Sequence, residues 1–319
     1  MEEYRIFSVY EPLGMMYLWC ESLFYPGGER EVGVIDLTVQ RDPVTSIPHV
    51  RSTSIKGALR WFIENLVSNK KLQLSPQKLF GDMERVSVVN IFNAEILLFP
   101  VASTLGLFAY ITSPKQLNHW IKTLDTLEYE AAEKLDENLG SMIEKFTNIN
   151  ALTSQSSPLA GKKIALLRGE FLIEPQGCRE LDNMLEEIIK TSIPMKTASP
   201  LAGYSYIRSK VRENTVIVND DLFKELVNQG LVRIARIALD PETKVVKGGA
   251  LFYQELIPQY TLLFCLITKT IRYNADKFIT NNVNEFRKFL KKNPLINIGG
   301  DETTGKGQIR IVFWSPSRR

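Results

Sequence analysis

Histidine and cysteine are scarce in this chain. Among 319 residues there are two histidines, His49 and His119, and three cysteines, Cys20, Cys178 and Cys265, all far apart. No zinc-binding pattern can be assembled from them. An odd number of separated cysteines also excludes a disulfide framework and suits a reducing cytoplasm with free, buried thiols. A strong excess of one charge is missing as well. The formal net charge is +3, so no bulk positive field draws in nucleic acid, and any basic surface is local and offset elsewhere. No apolar run approaches membrane-spanning length, and the start MEEYRIFSVYEPLG has no basic region leading into an apolar core. A soluble, intracellular protein with no membrane partner is expected. What is present is ordinary for a globular chain: 44% hydrophobic and 24% charged residues. That is enough for a large core, in one elaborated domain or two.

The pattern of apolar residues predicts the elements. Residues 1–13 read as a short extension or an extra edge strand, and Met15–Phe24 (MMYLWCESLF) as a central, aromatic-rich strand closed by Pro26-Gly27-Gly28. Ser54–Val67 has the apolar spacing of an amphipathic helix. Two strands follow between Gly81 and Thr112, with a turn at Pro100–Gly106, and Pro114 opens a helix through Trp120. Strand, helix, strand, strand, helix is the start of a split βαβ, ferredoxin-like order. Residues of about 125–214 break that rhythm with charged helical pieces around a hairpin, which predicts an insertion. From Thr215 the order returns. A strand and a helix capped by Asn219 or Asp220 lead into two strands joined at Asp240–Lys244, and these are followed by a strand, a helix and a closing strand through Val312–Trp314.

Three stretches carry chemistry. Asp36 is a lone carboxylate on the loop behind Gly27 and Gly28. Downstream, Ser52, Thr53 and Ser54 read as caps of a helix bearing Lys56, Gly57 and Arg60. Free N–H groups at a helix start beside two cations suit a phosphate, and Gly57 lets another backbone come close. The same residues also fit a capped surface helix with solvated charges. Residues 195–214, with Tyr204 and Tyr206 among Lys196, Arg208, Lys210 and Arg212, suit base stacking or a solvated loop. Near the end stands IGGDETTGKGQIRIVF. Gly300–Lys306 matches the GxxxxGK spacing of a P-loop. However, Gly307 replaces the magnesium-binding Ser or Thr, and a strand follows where a helix must start. A glycine-rich turn between strands can still offer N–H groups to a polynucleotide.

GVIDLTVQRD with Asp36, STSIKGALR, EILLFPV with GLFAYITSP, the hairpin with GALFYQELIP, and IGGDETTGKGQIRI occur in one order. Together they resemble the repeated backbone subunit of the Cmr effector complexes, the type III-B CRISPR systems, within the RAMP superfamily. The resemblance covers nearly the whole chain from about residue 15. It implies an α+β fold: an RRM-like (ferredoxin-like) palm at about 15–124 and 215–315, a helical insertion lobe at about 125–214, and a protruding thumb β-hairpin at about 233–255. It implies that copies stack along a guide crRNA with other Cmr subunits and cut complementary target RNA at regular intervals. That reaction depends on a divalent metal, Mg²⁺ or Mn²⁺. The family's catalytic aspartate matches Asp36 and its guide-backbone lysine matches Lys56. Ser54, Gly57 and Arg60 join Lys56 as RNA contacts, and the glycine loop matches Gly299, Gly300, Gly305, Lys306 and Gly307. Arg236, Lys244 and Lys247 are the thumb candidates. Two departures stand out: Tyr25 lies where family members often carry a histidine, and Ser52 lies near a position that favours glycine.

RNA brings its own nucleophile, the 2′-OH, so the protein must align it with phosphorus and the leaving 5′-oxygen. Asp36 either holds a hydrated cation or accepts the 2′-OH proton; the sequence leaves both open. His49 reads as an aid near the phosphate or as a packing residue, and Tyr253 and Glu255 as supports of the hairpin base. The competing functions are a non-catalytic crRNA-binding filament subunit and a metal-independent crRNA-processing endonuclease, which needs histidine or tyrosine–lysine acid–base groups.

Overall fold

The computed structural model describes residues 10–28, 35–84, 86–146, 149–193, 204–237, 242, 251–270 and 277–316. In chain order the elements are β1 (Tyr10–Cys20), β2 (His49–Val50), α1 (Ser52–Ser68), α2 (Pro76–Phe80), β3 (Val89–Ile91), β4 (Ala94–Ala102), β5 (Phe108–Thr112), α3 (Pro114–Thr126) and α4 (Ala132–Lys145). Next come β6 (Ala151–Ser154), β7 (Ile164–Leu166), β8 (Phe171–Ile173), β9 (Gln176–Cys178), α5 (Arg179–Ser192), α6 (Tyr204–Asn214), β10 (Thr215–Val218) and α7 (Asp220–Gly230). The chain closes with β11 (Val232–Arg236), β12 (Phe252–Leu256), β13 (Leu262–Thr270), α8 (Lys277–Leu290), β14 (Leu295–Asn297) and β15 (Gln308–Trp314).

One large sheet runs β14-β15-β1-β13-β4-β5-β10-β6-β9. Its heart is a β-α-β-β-α-β unit made by β1, α1, β4, β13, α8 and β15. The four strands lie in the order β15-β1-β13-β4, each antiparallel to the next. This corrects the expected rhythm. The strand that follows β4 in the unit is β13, more than a hundred residues downstream, and its second helix is α8; β5 and α3 extend the sheet instead. Residues 10–13, read as an extension, are the start of β1 itself. Pro100, read as part of a turn, lies inside β4 opposite Tyr110, beyond Leu98 where pairing with β13 ends. A missing N–H is tolerated on such a free edge. Strands β6 and β9 continue the same sheet beyond β10.

β1 is central because both its faces are covered. Met16, Leu18 and Cys20 join Ile55, Leu59 and Ile63 of α1 and Phe286 and Leu290 of α8 in one core. Met15, Tyr17 and Trp19 join α3, α4 and α5 in the other. Polar tips fix that second layer, since a buried hydroxyl or indole N–H needs a partner. The Trp120 indole donates to the Tyr17 hydroxyl at 2.8 Å, Tyr17 meets Thr191 at 2.8 Å, and the Trp19 indole donates to the Ser192 carbonyl at 2.8 Å. All three cysteines are free and buried. No described helix is long and apolar enough to cross a membrane.

Candidate nucleic-acid interface

The start of α1, the glycine-rich loop and the backbone just after Asp36 meet on residues 23–27. The Ser54 hydroxyl donates to the Pro26 carbonyl at 3.3 Å, which ties the first turn of α1 to this segment. From the other side the Gly300 N–H donates to Tyr25 O at 3.0 Å, and the Gly307 N–H to Leu23 O at 2.8 Å. Gly299 has φ +85°, and a Cβ there would collide with the Tyr25 carbonyl oxygen. Only glycine accommodates that combination of left-handed backbone and close approach. Gln40 closes the ring, donating its N–H to Gly27 O at 3.2 Å.

The helix start differs from expectation. Arg51 is the N-cap residue of α1, and no side chain of its own segment caps it. The Asn93 side chain accepts the Ser52 N–H at 2.9 Å instead, so an orphan donor is satisfied from across the fold. The Lys56 side chain makes no hydrogen bond or ion pair with a described residue; partial burial and the neighbouring Arg60 push its pKa down. Gly57 is exposed, and nothing of the chain lies within 4 Å of where its Cβ would be. Arg60 is committed: it donates to Glu64 at 2.8 Å and to the Gly81 carbonyl at 3.0 Å. An open groove lined by Thr53, Lys56, Gly57, Arg60 and Met83 runs along this face.

Asp36 sits beside the base of the β11–β12 hairpin. Its Oδ2 accepts the Tyr253 N–H at 2.8 Å, and no described residue hydrogen-bonds its other oxygen. The neighbouring backbone is laid along β12: Leu37 N–H donates to Tyr253 O at 3.1 Å and Glu255 N–H to Leu37 O at 2.9 Å. Glu255, with its side chain 2% exposed, accepts from Arg41 at 2.8 Å, Val39 N–H at 3.3 Å and Arg233 at 3.4 Å. A buried carboxylate of this kind has to be paired. The loop bearing Asp36 is therefore clamped to the hairpin by backbone and by charge.

Two basic residues expected to contact RNA are turned inward. Arg236, a thumb candidate, donates to Asp301 at 2.6 Å at the hairpin base. Lys306 lies between Asp301 and Gln254, at 3.4 Å from each. The carboxylate of Asp301 draws both cations into the fold. Lys244 and Lys247, with the hairpin tip, lie outside the described residues. The described part of the tyrosine–cation stretch is a helix, α6, rather than a loop, and several of its groups have partners within the fold. Tyr204 is buried and donates to Glu21 at 2.6 Å, Arg212 pairs with Glu186 at 2.6 Å, and Lys210 stacks over the Tyr206 ring. Lys196 lies outside the described residues. His49 is half-buried with its Nδ1 unpartnered, and burial pushes its pKa down. The roles of Arg41, Gln254 and Asp301 leave little trace in the sequence. The only available signal was a charged or amide residue in the middle of the apolar strand FYQEL.

The donors around Asp36 limit how a divalent cation could be held. Among the described residues no group of three or more His, Cys, Asp or Glu side chains could hold a metal ion. Asp36 has one oxygen to give. The set fits a single hydrated hard cation completed by water and phosphate oxygens, and it does not fit a cage made of protein alone.

The RAMP superfamily pattern matches residues 21–310. The chain belongs to the RAMP superfamily. A curated relative from Pyrococcus furiosus, the CRISPR system Cmr endoribonuclease Cmr4, is 30% identical over 91% of this RAMP chain and 91% of its own. The CRISPR system CMR subunit Cmr4 of Saccharolobus solfataricus is 23% identical over 87% of this chain and 88% of its own. Solved structures share the RAMP fold. A chain of the type III-B Cmr-β complex bound to cognate target RNA superposes with TM-score 0.71 at 20% identity, covering 96% of this chain and 98% of that one. Oligomeric Cmr4 from Pyrococcus furiosus superposes with TM-score 0.65 at 24% identity, covering 95% and 99%.

Proposed function

We propose that this chain is a backbone subunit of a type III-B Cmr effector complex in the cytoplasm. Copies lie along a guide crRNA with other Cmr subunits and cut complementary target RNA at regular intervals. The observation that carries the reading is the position of Asp36. Its carboxylate hangs from the base of the hairpin, beside the glycine-rich loop and the start of α1 that in this reading line the path of a ribose-phosphate strand. In this reading residues 15–124 and 215–315 form the palm, 125–214 the insertion lobe and 233–255 the thumb. Lys56 and the open backbone at Gly57 contact the guide phosphates without reading sequence.

Cleavage forms a bond from the 2′-oxygen to phosphorus and breaks the bond from phosphorus to the 5′-oxygen. The 2′-OH proton passes to a base, and water supplies a proton to the leaving oxygen. Asp36, fixed by the Tyr253 N–H through one oxygen, points the other at the reacting ribose and either takes that proton or orients water. Positioning of this kind contributes on the order of 7–11 kcal/mol in favourable cases. Asp36 would be the residue to hold a Mg²⁺ or Mn²⁺ ion, which would supply charge neutralisation at the phosphate.

The test is a complex reconstituted from this chain, its partner subunits and guide RNA, given complementary target. Evenly spaced products are expected, lost in EDTA and restored by Mg²⁺ or Mn²⁺. Intact target under all conditions would reduce the chain to a filament subunit that binds without cutting. Unchanged cutting in EDTA would make it a metal-independent nuclease.

A further inference from the structure

Asp301 occupies an unusual place for an acid: the turn between β14 and β15, with left-handed backbone at φ 65°, inside the loop that is to face a polyanion. Its two oxygens are both occupied. Oδ1 accepts from Arg236 at 2.6 Å, while Oδ2 accepts from the Gln254 amide at 2.8 Å and from Lys306 at 3.4 Å. Arg236 also donates to Gln254 Oε1 at 3.3 Å and lies over the Phe252 ring. The side chain is 18% exposed, and Gln254 is fully buried. The acid thus grips both strands of the hairpin at its base, Arg236 on β11 and Gln254 on β12.

The residue before Gln254 is Tyr253, whose N–H holds the Asp36 carboxylate; the residue after it is Glu255, whose N–H holds Leu37. We propose that Asp301 is a positioning residue for cleavage: it locks the glycine-rich loop to the hairpin base, and through Gln254 fixes the strand from which Asp36 hangs. The inference rests on Asp36 acting at the scissile linkage. It assigns Arg236 and Lys306 to this lock rather than to RNA. Partial burial alone would raise the Asp301 pKa, but the bonds from Gln254 and Arg236, with Lys306, hold it below the usual carboxylate range. The lock is therefore charged at neutral pH. A misplacement of about 1 Å at the reacting centre can cost on the order of a hundredfold in rate.

Asp301→Asn keeps the size of the side chain and tolerates the left-handed backbone. In the assembled complex, target affinity is expected to stay within about twofold and the single-turnover cleavage rate to fall about tenfold, below the limit for a small misplacement. Arg236→Gln should give the same split, and the double variant should slow cutting by less than the product of the two single effects, because the two residues share a contact. Wild-type cutting by Asp301→Asn, or rates that multiply in the double variant, would overturn the inference. So would tighter RNA binding with undiminished cutting, which would make Asp301 a stand-in for phosphate. If Asp301→Asn does not assemble, Arg236→Lys should show a smaller drop of the same kind, and no drop there also overturns it. An Asp36→Asn complex run in parallel separates the failures. If that complex cuts normally, the functional reading fails; if it is inactive while Asp301→Asn cuts normally, only this inference does.

Discussion

Replacing Lys56 by glutamine isolates the electrostatic part of RNA binding. Lys56 has no internal partner among the described residues, so its loss breaks no contact that holds the fold. Its neighbour Arg60 is pinned to Glu64 and Gly81 and serves as the control. One phosphate contact to a single strand releases roughly 0.7 of a counterion, so the slope of log affinity against log salt should become shallower by about 0.7. The same term makes guide binding about fourfold weaker near 0.15 M salt. The assay is fluorescence anisotropy with labelled guide RNA at four or five salt concentrations, with two unrelated spacers. The loss should be equal for both spacers, and Arg60→Gln should alter thermal stability more than the slope. An unchanged slope for Lys56→Gln, or a loss confined to one spacer, would refute the assignment of Lys56 to a phosphate.

Two further outcomes follow from the geometry. Gly299→Ala places a Cβ against the Tyr25 carbonyl at positive φ and should cost roughly 2–4 kcal/mol, seen as a lower melting temperature; an unchanged melt would mean the turn is not packed as described. Burial alone would raise the Glu95 pKa, but His119 and Lys115 bring it down to about 2. Its folded value lies below the ordinary value of about 4.3. The stability it contributes is thus complete above pH 4.3 and lost as pH falls toward 2. Glu95→Gln should flatten the fall of melting temperature across that range, and an identical fall in both proteins would contradict the pairing.

Much of the site was legible because its signals are local. Helical spacing marked α1, the Pro-Gly-Gly and Gly-rich stretches marked the turns, and Asn219 caps α7 as its position suggested, accepting the Leu222 N–H. What escaped depends on register between distant segments. No local pattern shows that β13 follows β4 in the central unit, because the intervening chain itself supplies strands and helices. The same holds for charge. Arg236 and Lys306 look like free cations in the sequence, and only the approach of Asp301 to the hairpin, 65 residues from Arg236, neutralises them. Glu255 likewise reaches Arg41 across 214 residues. The partners of Tyr204 and Arg212, Glu21 and Glu186, also lie on other elements.

The most direct measurement is single-turnover cleavage of complementary RNA by a complex carrying Asp36→Asn, with target affinity measured on the same preparation. The amide can still accept the Tyr253 N–H, so assembly and binding should be retained while cutting is lost. Cutting at the wild-type rate would place the chemistry elsewhere.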